Sequence, residues 1–417
     1  MKVPKSLCAV ALMGVFANSS AWAANFVFLD EATLVANRAL LQSDNAPKAM
    51  QHSYQQLIEE ADIGKQAGIF SVAHKGFTPP SGDKNDYMSI SPYWWPDETK
   101  VDGLPWIRFD GKTNPASKSD ETDSVRIGTF TRTVRALALA YYFSEDEAYA
   151  NKAIELVRAW YIDDATRMNP NVNFGQGVPG VADGRRSGLI DTRTLVERNL
   201  DAIAILSQSP AWTDKDEQGI NQWYSDYLDW LIEDDLSGGP KGEAYAPNNH
   251  GTWYDYQMAG IAYFLGNAHL TKQMVQKGKV RVDTQFAEDG SQPHEAQRTR
   301  SYHYHYFSLD PLVGIAQLGD KVGVDLWHYE NQQGVSLSKG IDFMVKYNDP
   351  QAKWPFPEKD SRRIARMSPI YLKAGQALDN NQWINLAKDT DFSQYTVSKN
   401  LAEVWAQREI ELLYRAE

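Results

Sequence analysis

Cysteine is almost absent: Cys8 is the single example in 417 residues. A disulfide framework is excluded, and past the first 23 residues no thiol is available as nucleophile or metal ligand. HExxH, a histidine pair at i, i+4, an EF-hand loop, GxSxG and a phosphate-cradling glycine loop are all missing. No motif therefore points to a metal or a cofactor; His303 and His305, two apart, point away from each other on a helix, and a metal site built with His250 is the lesser reading. Long apolar runs are missing too. Residues 7–16 are apolar but too few to span a bilayer. They follow Lys2 and Lys5 and precede Ala21-Trp22-Ala23, the layout of a cleaved secretion signal over residues 1–23. We expect a mature chain of 24–417, one domain, monomeric and periplasmic or secreted. Positive charge is also short. The net charge is −12, and it becomes −14 once Lys2 and Lys5 are removed. That argues against nucleic acid as a partner. An anionic sugar polymer would need a locally basic site.

Aromatic residues are plentiful, with 13 Trp, 21 Tyr and 15 Phe. Most should pack in a core, but flat rings also suit the faces of sugars. Apolar periodicity near 3.6 predicts one or two helices over 30–65 and further helices over 125–143, 146–161, 192–206, 214–233, 252–265, 268–286, 301–318, 323–347, 363–377, 381–389 and 397–414. Residues 74–124 break the pattern and read as a long ordered loop, because Tyr87, Tyr93, Trp94, Trp95 and Trp106 argue against disorder. A second loop spans 169–187. The fold class is all-α. Helix pairs recurring every forty or so residues fit a solenoid or an α/α toroid.

Two stretches carry chemistry. PNNHGTWYDY, residues 247–256, sets Asn249 and His250 beside each other at a helix start. On its own this could be a cap followed by a packed histidine. EAQRTRSYHYHY, residues 295–306, supplies Arg298, Arg300, Tyr302, His303, Tyr304, His305 and Tyr306. A guanidinium grips a carboxylate with paired hydrogen bonds, and it favours the phenolate of a nearby tyrosine. Alternate residues of YHYHY should face the core. Two loops add candidates. DYMSISPYWWPD, residues 86–97, offers Tyr93, Trp94 and Trp95 as a cleft wall or lid. NFGQGVPGVADGRRSGLIDTR, residues 173–193, offers Gln176, Arg185 and Arg193 around a sugar carboxylate. Alternatively it is a structural loop in which Asp183 and Asp191 pair with arginines.

Taken together, and in this order, these motifs resemble the alginate lyase superfamily of helical-toroid polysaccharide lyases, over roughly residues 86–318. The resemblance implies an α/α toroid, an incomplete barrel of about six to seven helical hairpins with long loops lining a cleft. It also implies metal-independent β-elimination on a polyuronate such as alginate or a glucuronan-type polymer. By motif, Asn249, His250 and Arg298 match the groups that neutralise the uronate carboxylate, with His250 able to act as base. Tyr304 matches the proton donor, with Tyr302 and Tyr306 as alternatives. Tyr93, Trp94, Trp95, Gln176, Arg185, Arg193, Arg300, Tyr302 and His303 are expected to line the substrate.

Two other classes compete. A toroid glycoside hydrolase would need two carboxylates across the cleft, for which Asp255 and Glu295 are the candidates. A sugar-binding protein without turnover would use the aromatic loops but has no need of the Asn-His and Arg-Tyr clusters.

Overall fold

A computed structural model describes residues 26–182 and 184–415. The secretion signal read over 1–23 lies outside the described residues, as does Asp183. The helices in chain order are α1 (Glu31–Leu41), α2 (Lys48–Lys65), α3 (Ser124–Ser144), α4 (Glu147–Tyr161), α5 (Leu189–Glu197), α6 (Asn199–Leu206), α7 (Asp214–Glu233), α8 (Asn249–Phe264), α9 (Ala268–Gln285), α10 (Pro293–Ala296), α11 (Ser301–Val322), α12 (Leu337–Val345), α13 (Ser368–Ala377), α14 (Asn381–Lys388) and α15 (Leu401–Arg408).

Burial sorts them into two rings. Nearly every position of α8 from Asn249 to Ala262 is buried, and α3, α6 and α11 are similar. A helix apolar all round must be enclosed by others. Helices α4, α7, α9, α12 and α14 bury one stripe and expose the other. Packing follows. Along the inner ring α2 touches α3, α3 touches α5 and α6, α5 touches α8, α8 touches α11, α11 touches α13, α13 touches α15, and α15 returns to α2. Outside it, α4 lies on α3, α7 on α8, α9 on α8 and α11, α12 on α11, and α14 on α13. This is the α/α toroid. Stacked aromatics such as Phe130 on Trp160, 4.4 Å between centroids, fill the space between the rings.

Two departures from the periodicity change an element rather than shift its ends. The helix expected over 192–206 starts earlier, at Leu189, and breaks at Arg198 into α5 and α6. The helix expected over 323–347 is only α12, from Leu337. Gly323 takes a left-handed φ of 71° and ends α11, Gly334 turns again at 72°, and Ser336 caps the new helix.

Short strands organise the two long loops: β1 (Met88–Ile90), β2 (Trp94–Trp95), β3 (Ile107–Arg108) and β4 (Phe174–Gly177). β1 pairs in parallel with β4, Met88 opposite Phe174, and β2 pairs antiparallel with β3. Asp191 at the start of α5 reinforces the first pairing. It accepts from Tyr87 Oη (2.9 Å), Ser89 Oγ (2.6 Å) and Gln176 Nε2 (3.0 Å). The two loops are thereby held over one end of the toroid, where α5, α8 and α11 all begin.

Candidate active site

Asn248 caps α8, its side chain accepting from the His250 N–H at 3.2 Å. That cap places Asn249 and His250 in the first helical turn. Asn249 is buried. Its backbone N–H donates to Glu295 Oε1 at 2.8 Å, and its side-chain amide reaches both carboxylate oxygens at 2.9 and 3.0 Å. The Glu295 carbonyl in turn accepts from the Arg298 N–H at 3.1 Å. The two chemistry-bearing stretches thus meet through one buried carboxylate. Burial raises its pKa, against the opposing hydrogen bonds from Asn249.

Arg298 lies flat on the Tyr304 ring, its guanidinium carbon 3.6 Å from the centroid. It also clasps Asp110 of the long loop, with Nη2 at 2.7 Å and Nε at 3.2 Å from each oxygen. Burial pushes the Asp110 carboxyl up, but hydrogen bonds from Arg298 and Thr299 outweigh it and hold it at about 2. The Tyr304 hydroxyl is 3.0 Å from that of Tyr93. The sequence reading expected Arg298 to lower the phenol. The structure reverses this. Burial and the neighbouring Tyr93 phenol raise the Tyr304 pKa well above its ordinary value despite the guanidinium. Tyr304 is therefore held in its proton-donating form.

His250 faces a cavity of about 400 Å³, which it lines together with Arg186, Lys241, Glu243, Tyr245 and Asn248. Its Nδ1 is 2.8 Å from Glu243 Oε1. Arg186 sits 6.0 Å over the Trp94 ring, with Nη2 3.4 Å from Ser91 Oγ. Among the described residues no carboxylate forms an ion pair with it. Burial lowers its pKa, Glu243 opposes, and Arg108 and Arg298 add to the lowering. A desolvated guanidinium with no ion-pair partner favours an anionic ligand.

The remaining expected residues divide. Tyr93 meets Tyr304, Trp94 lies beneath Arg186, and Arg298 covers the Tyr304 ring. Trp95 anchors the loop, donating from Nε1 to the Lys112 carbonyl at 2.9 Å under the Lys112 ammonium. Gln176 is buried at a φ of 50° and holds Asp191. Arg185 leaves the cleft: its side chain is buried against Asp234, Ser237 and the Trp230 ring. Tyr302 leaves it too, fully buried against Trp354 with Arg362 over its ring. Arg193 lies against Trp253 and Phe307, and Arg300 pairs with Asp360 at 2.7 Å. His303 binds the Tyr306 hydroxyl through Nδ1 at 2.6 Å. Burial first, then Arg300 and Arg366, lower its pKa to about 3. His305 is core, its Nδ1 2.8 Å from the Ser301 carbonyl. Asp191, read as a possible arginine partner, takes hydroxyls and an amide instead. Among the described residues no group of three or more His, Cys, Asp or Glu side chains is placed to hold a metal.

Sequence reasoning missed Glu243 and Asp110, which lie in loops with no motif around them. It placed Arg186 with Arg185 and Arg193 as basic residues along the groove, but of the adjacent pair it took Arg185 as the substrate contact.

Fold and site together define an α/α-toroid protein with an amide, an imidazole, guanidinium groups and paired phenols at one open end. A family profile described as Alginate lyase matches residues 71–354, more than half of the chain, and the chain belongs to the alginate lyase family. An alginate lyase of Pseudomonas syringae pv. tomato is 25% identical over 272 residues, which is 61% of this chain and 66% of that protein. The match thus spans just under two thirds of that curated relative. An alginate lyase of Cobetia marina is 29% identical over 150 residues, 36% of this chain and 37% of the other. The crystal structure of an alginate lyase from Bacteroides ovatus superposes with a TM-score of 0.84 at 30% identity, covering 94% of this chain and 100% of that one. Alginate lyase A1-III from Sphingomonas species A1 shares the fold, with a TM-score of 0.55 at 16% identity over 86% and 90% of the two chains.

Proposed function

We propose that this protein is a polysaccharide lyase that cleaves a polyuronate, alginate first, by β-elimination. The observation that carries the reading is that Glu295 and Arg298 tie the Asn249–His250 turn to the Tyr304–Tyr93 phenol pair, while His250 and Arg186 line one cavity. The proton on C5 of a uronate is removable only if the charge that develops on its carboxylate is stabilised. The Arg186 guanidinium at the cavity is placed to do this, and it accelerates the reaction to the extent that it acts more strongly in the transition state than in the bound sugar. A base takes the C5 proton, the electron pair forms C4=C5, the C4–O4 bond breaks, and Tyr304 gives its proton to O4. In mannuronate and glucuronate the C5 hydrogen and O4 share a face, so base and acid must both approach from that side. In guluronate they lie on opposite faces, which suits His250 as base and Tyr304 as acid.

The glycoside hydrolase reading loses support from its two carboxylates. Asp255 is fully buried and paired with Lys277 (2.8 Å) and Arg281 (2.6 Å), and Glu295 is occupied by Asn249. Glucuronan-type polymers remain the second substrate to try. The secretion signal read over residues 1–23 suits a polymer met outside the cytoplasm. The test is ultraviolet absorbance of the conjugated C4=C5 bond on adding alginate or glucuronan. A rise is expected with the native protein. For Tyr304→Phe, kcat should fall on the order of 10²–10⁴-fold while binding survives. Reducing ends appearing without unsaturation would mean hydrolysis, and binding without either would mean no turnover.

A further inference from the structure

We infer that Glu243 is a positioning residue that sets the tautomer of His250, keeping the proton on Nδ1 and turning the Nε2 lone pair to the cleft. The inference deepens the lyase reading and rests on it where His250 is called the base. A carboxylate only accepts, so the 2.8 Å contact from Glu243 Oε1 makes Nδ1 the donor in the neutral ring. Among the described residues nothing hydrogen-bonds Nε2. The second oxygen of Glu243 is equally constrained. Oε2 accepts from the backbone N–H of Gly188 at 3.2 Å and of Leu189 at 3.3 Å, at the start of α5. Glu243 is itself buried, and its turn is pinned from behind. Its N–H donates to the Leu236 carbonyl at 3.0 Å, while Lys277 and Arg281 of α9 donate to the Ala244 carbonyl at 3.1 and 2.7 Å. The carboxylate thus has one fixed face for the helix and one for the imidazole.

This geometry makes Glu243→Gln an informative substitution. The two backbone donors can be met only by the amide oxygen, so the NH2 group must face Nδ1. The imidazole then accepts there and carries its hydrogen on Nε2, with no lone pair left toward the substrate. Elsewhere a histidine base locked in its wrong tautomer by a carboxylate-to-amide change loses about 10⁴ in kcat.

The experiment reads the ring nitrogens of His250 by ¹⁵N NMR of the full chain, with His250→Ala to assign them. Turnover is measured in parallel on guluronate-rich alginate. Native protein should show Nδ1–H, and Glu243→Gln should show Nε2–H. The variant should lose on the order of 10²–10⁴ in kcat with KM little changed and Tm nearly retained. An Nε2–H ring in the native protein, or an unchanged tautomer in the variant, overturns the inference. Should the variant fail to fold, the native spectrum alone decides. A swapped tautomer with unchanged turnover upholds the role of Glu243 and counts instead against His250 as the base.

Discussion

At the scale of single residues, Arg185 and Arg186 follow each other in the chain and have opposite surroundings. Arg185 is consumed by Asp234, Ser237 and Trp230, whereas Arg186 faces the His250 cavity and, among the described residues, has no acid in an ion pair with it. Their alanine variants should separate accordingly. Arg186→Ala should raise KM for the polymer about 10- to 100-fold, the worth of a charged hydrogen bond to a carboxylate, while Tm hardly moves. Arg185→Ala should lower Tm by leaving Asp234 without its partner. Steady-state kinetics and thermal melts on both variants check this, and the reverse pattern would exchange their roles. Arg298 differs from both. Its charge is already matched by Asp110, so its closest service is to hold the Tyr304 ring.

At the scale of elements, the start of α6 ties down the N-terminal segment. Asp201 accepts from the backbone N–H groups of Val27 (2.5 Å), Phe28 (3.1 Å) and Leu29 (3.1 Å). Lys321 at the end of α11 donates to the carbonyls of Phe26 (2.7 Å) and Leu29 (3.1 Å). Phe28 thereby stacks on Tyr256 of α8, 4.7 Å between centroids. Asp201→Ala would strand three backbone donors, at about 1–3 kcal/mol for each one left without a partner. A loss on the order of 3 kcal/mol or more in urea unfolding is expected; a loss under about 1 kcal/mol would show that water replaces the carboxylate.

At the scale of the whole molecule, the toroid axis holds an enclosed cavity of about 40 Å³, lined by Arg135, Glu197, Arg198, Asp310, Lys373 and Glu409 among others. None of the cleft residues reaches it. Burial, with Glu197 and Glu409 adding and Lys373 opposing, raises Asp310 to about 6. A carboxyl raised on folding binds more protons in the folded than in the unfolded chain between its unfolded pKa, about 4, and about 6. Stability from this group therefore falls as pH rises through that window, and its penalty is complete above it. Asp310→Asn should be more favourable relative to native protein at pH 8 than at pH 5. Melting both proteins at the two pH values checks the sign, and an equal difference at both would place the Asp310 pKa outside the window.

Much was written in the chain itself. Helix order, two long ordered loops and the local pairing of Asn249 with His250 follow from apolar spacing, Gly and Pro punctuation, and a cap, all of which act within a few residues. Even there, the region after Gly323 misled, because an apolar pattern does not reveal the left-handed turns that end a helix. Long-range contacts decided the rest. That Glu295 joins Asn249 to Arg298, that Asp110 takes up the arginine's charge, that Arg186 rather than Arg185 faces the cavity, and that Glu243 turns the imidazole are set by segments far apart in sequence. The net effect on Tyr304 was settled there as well. Adjacency to an arginine is legible in order, but desolvation depends on what the closed ring packs over the phenol, and here burial outweighs the guanidinium.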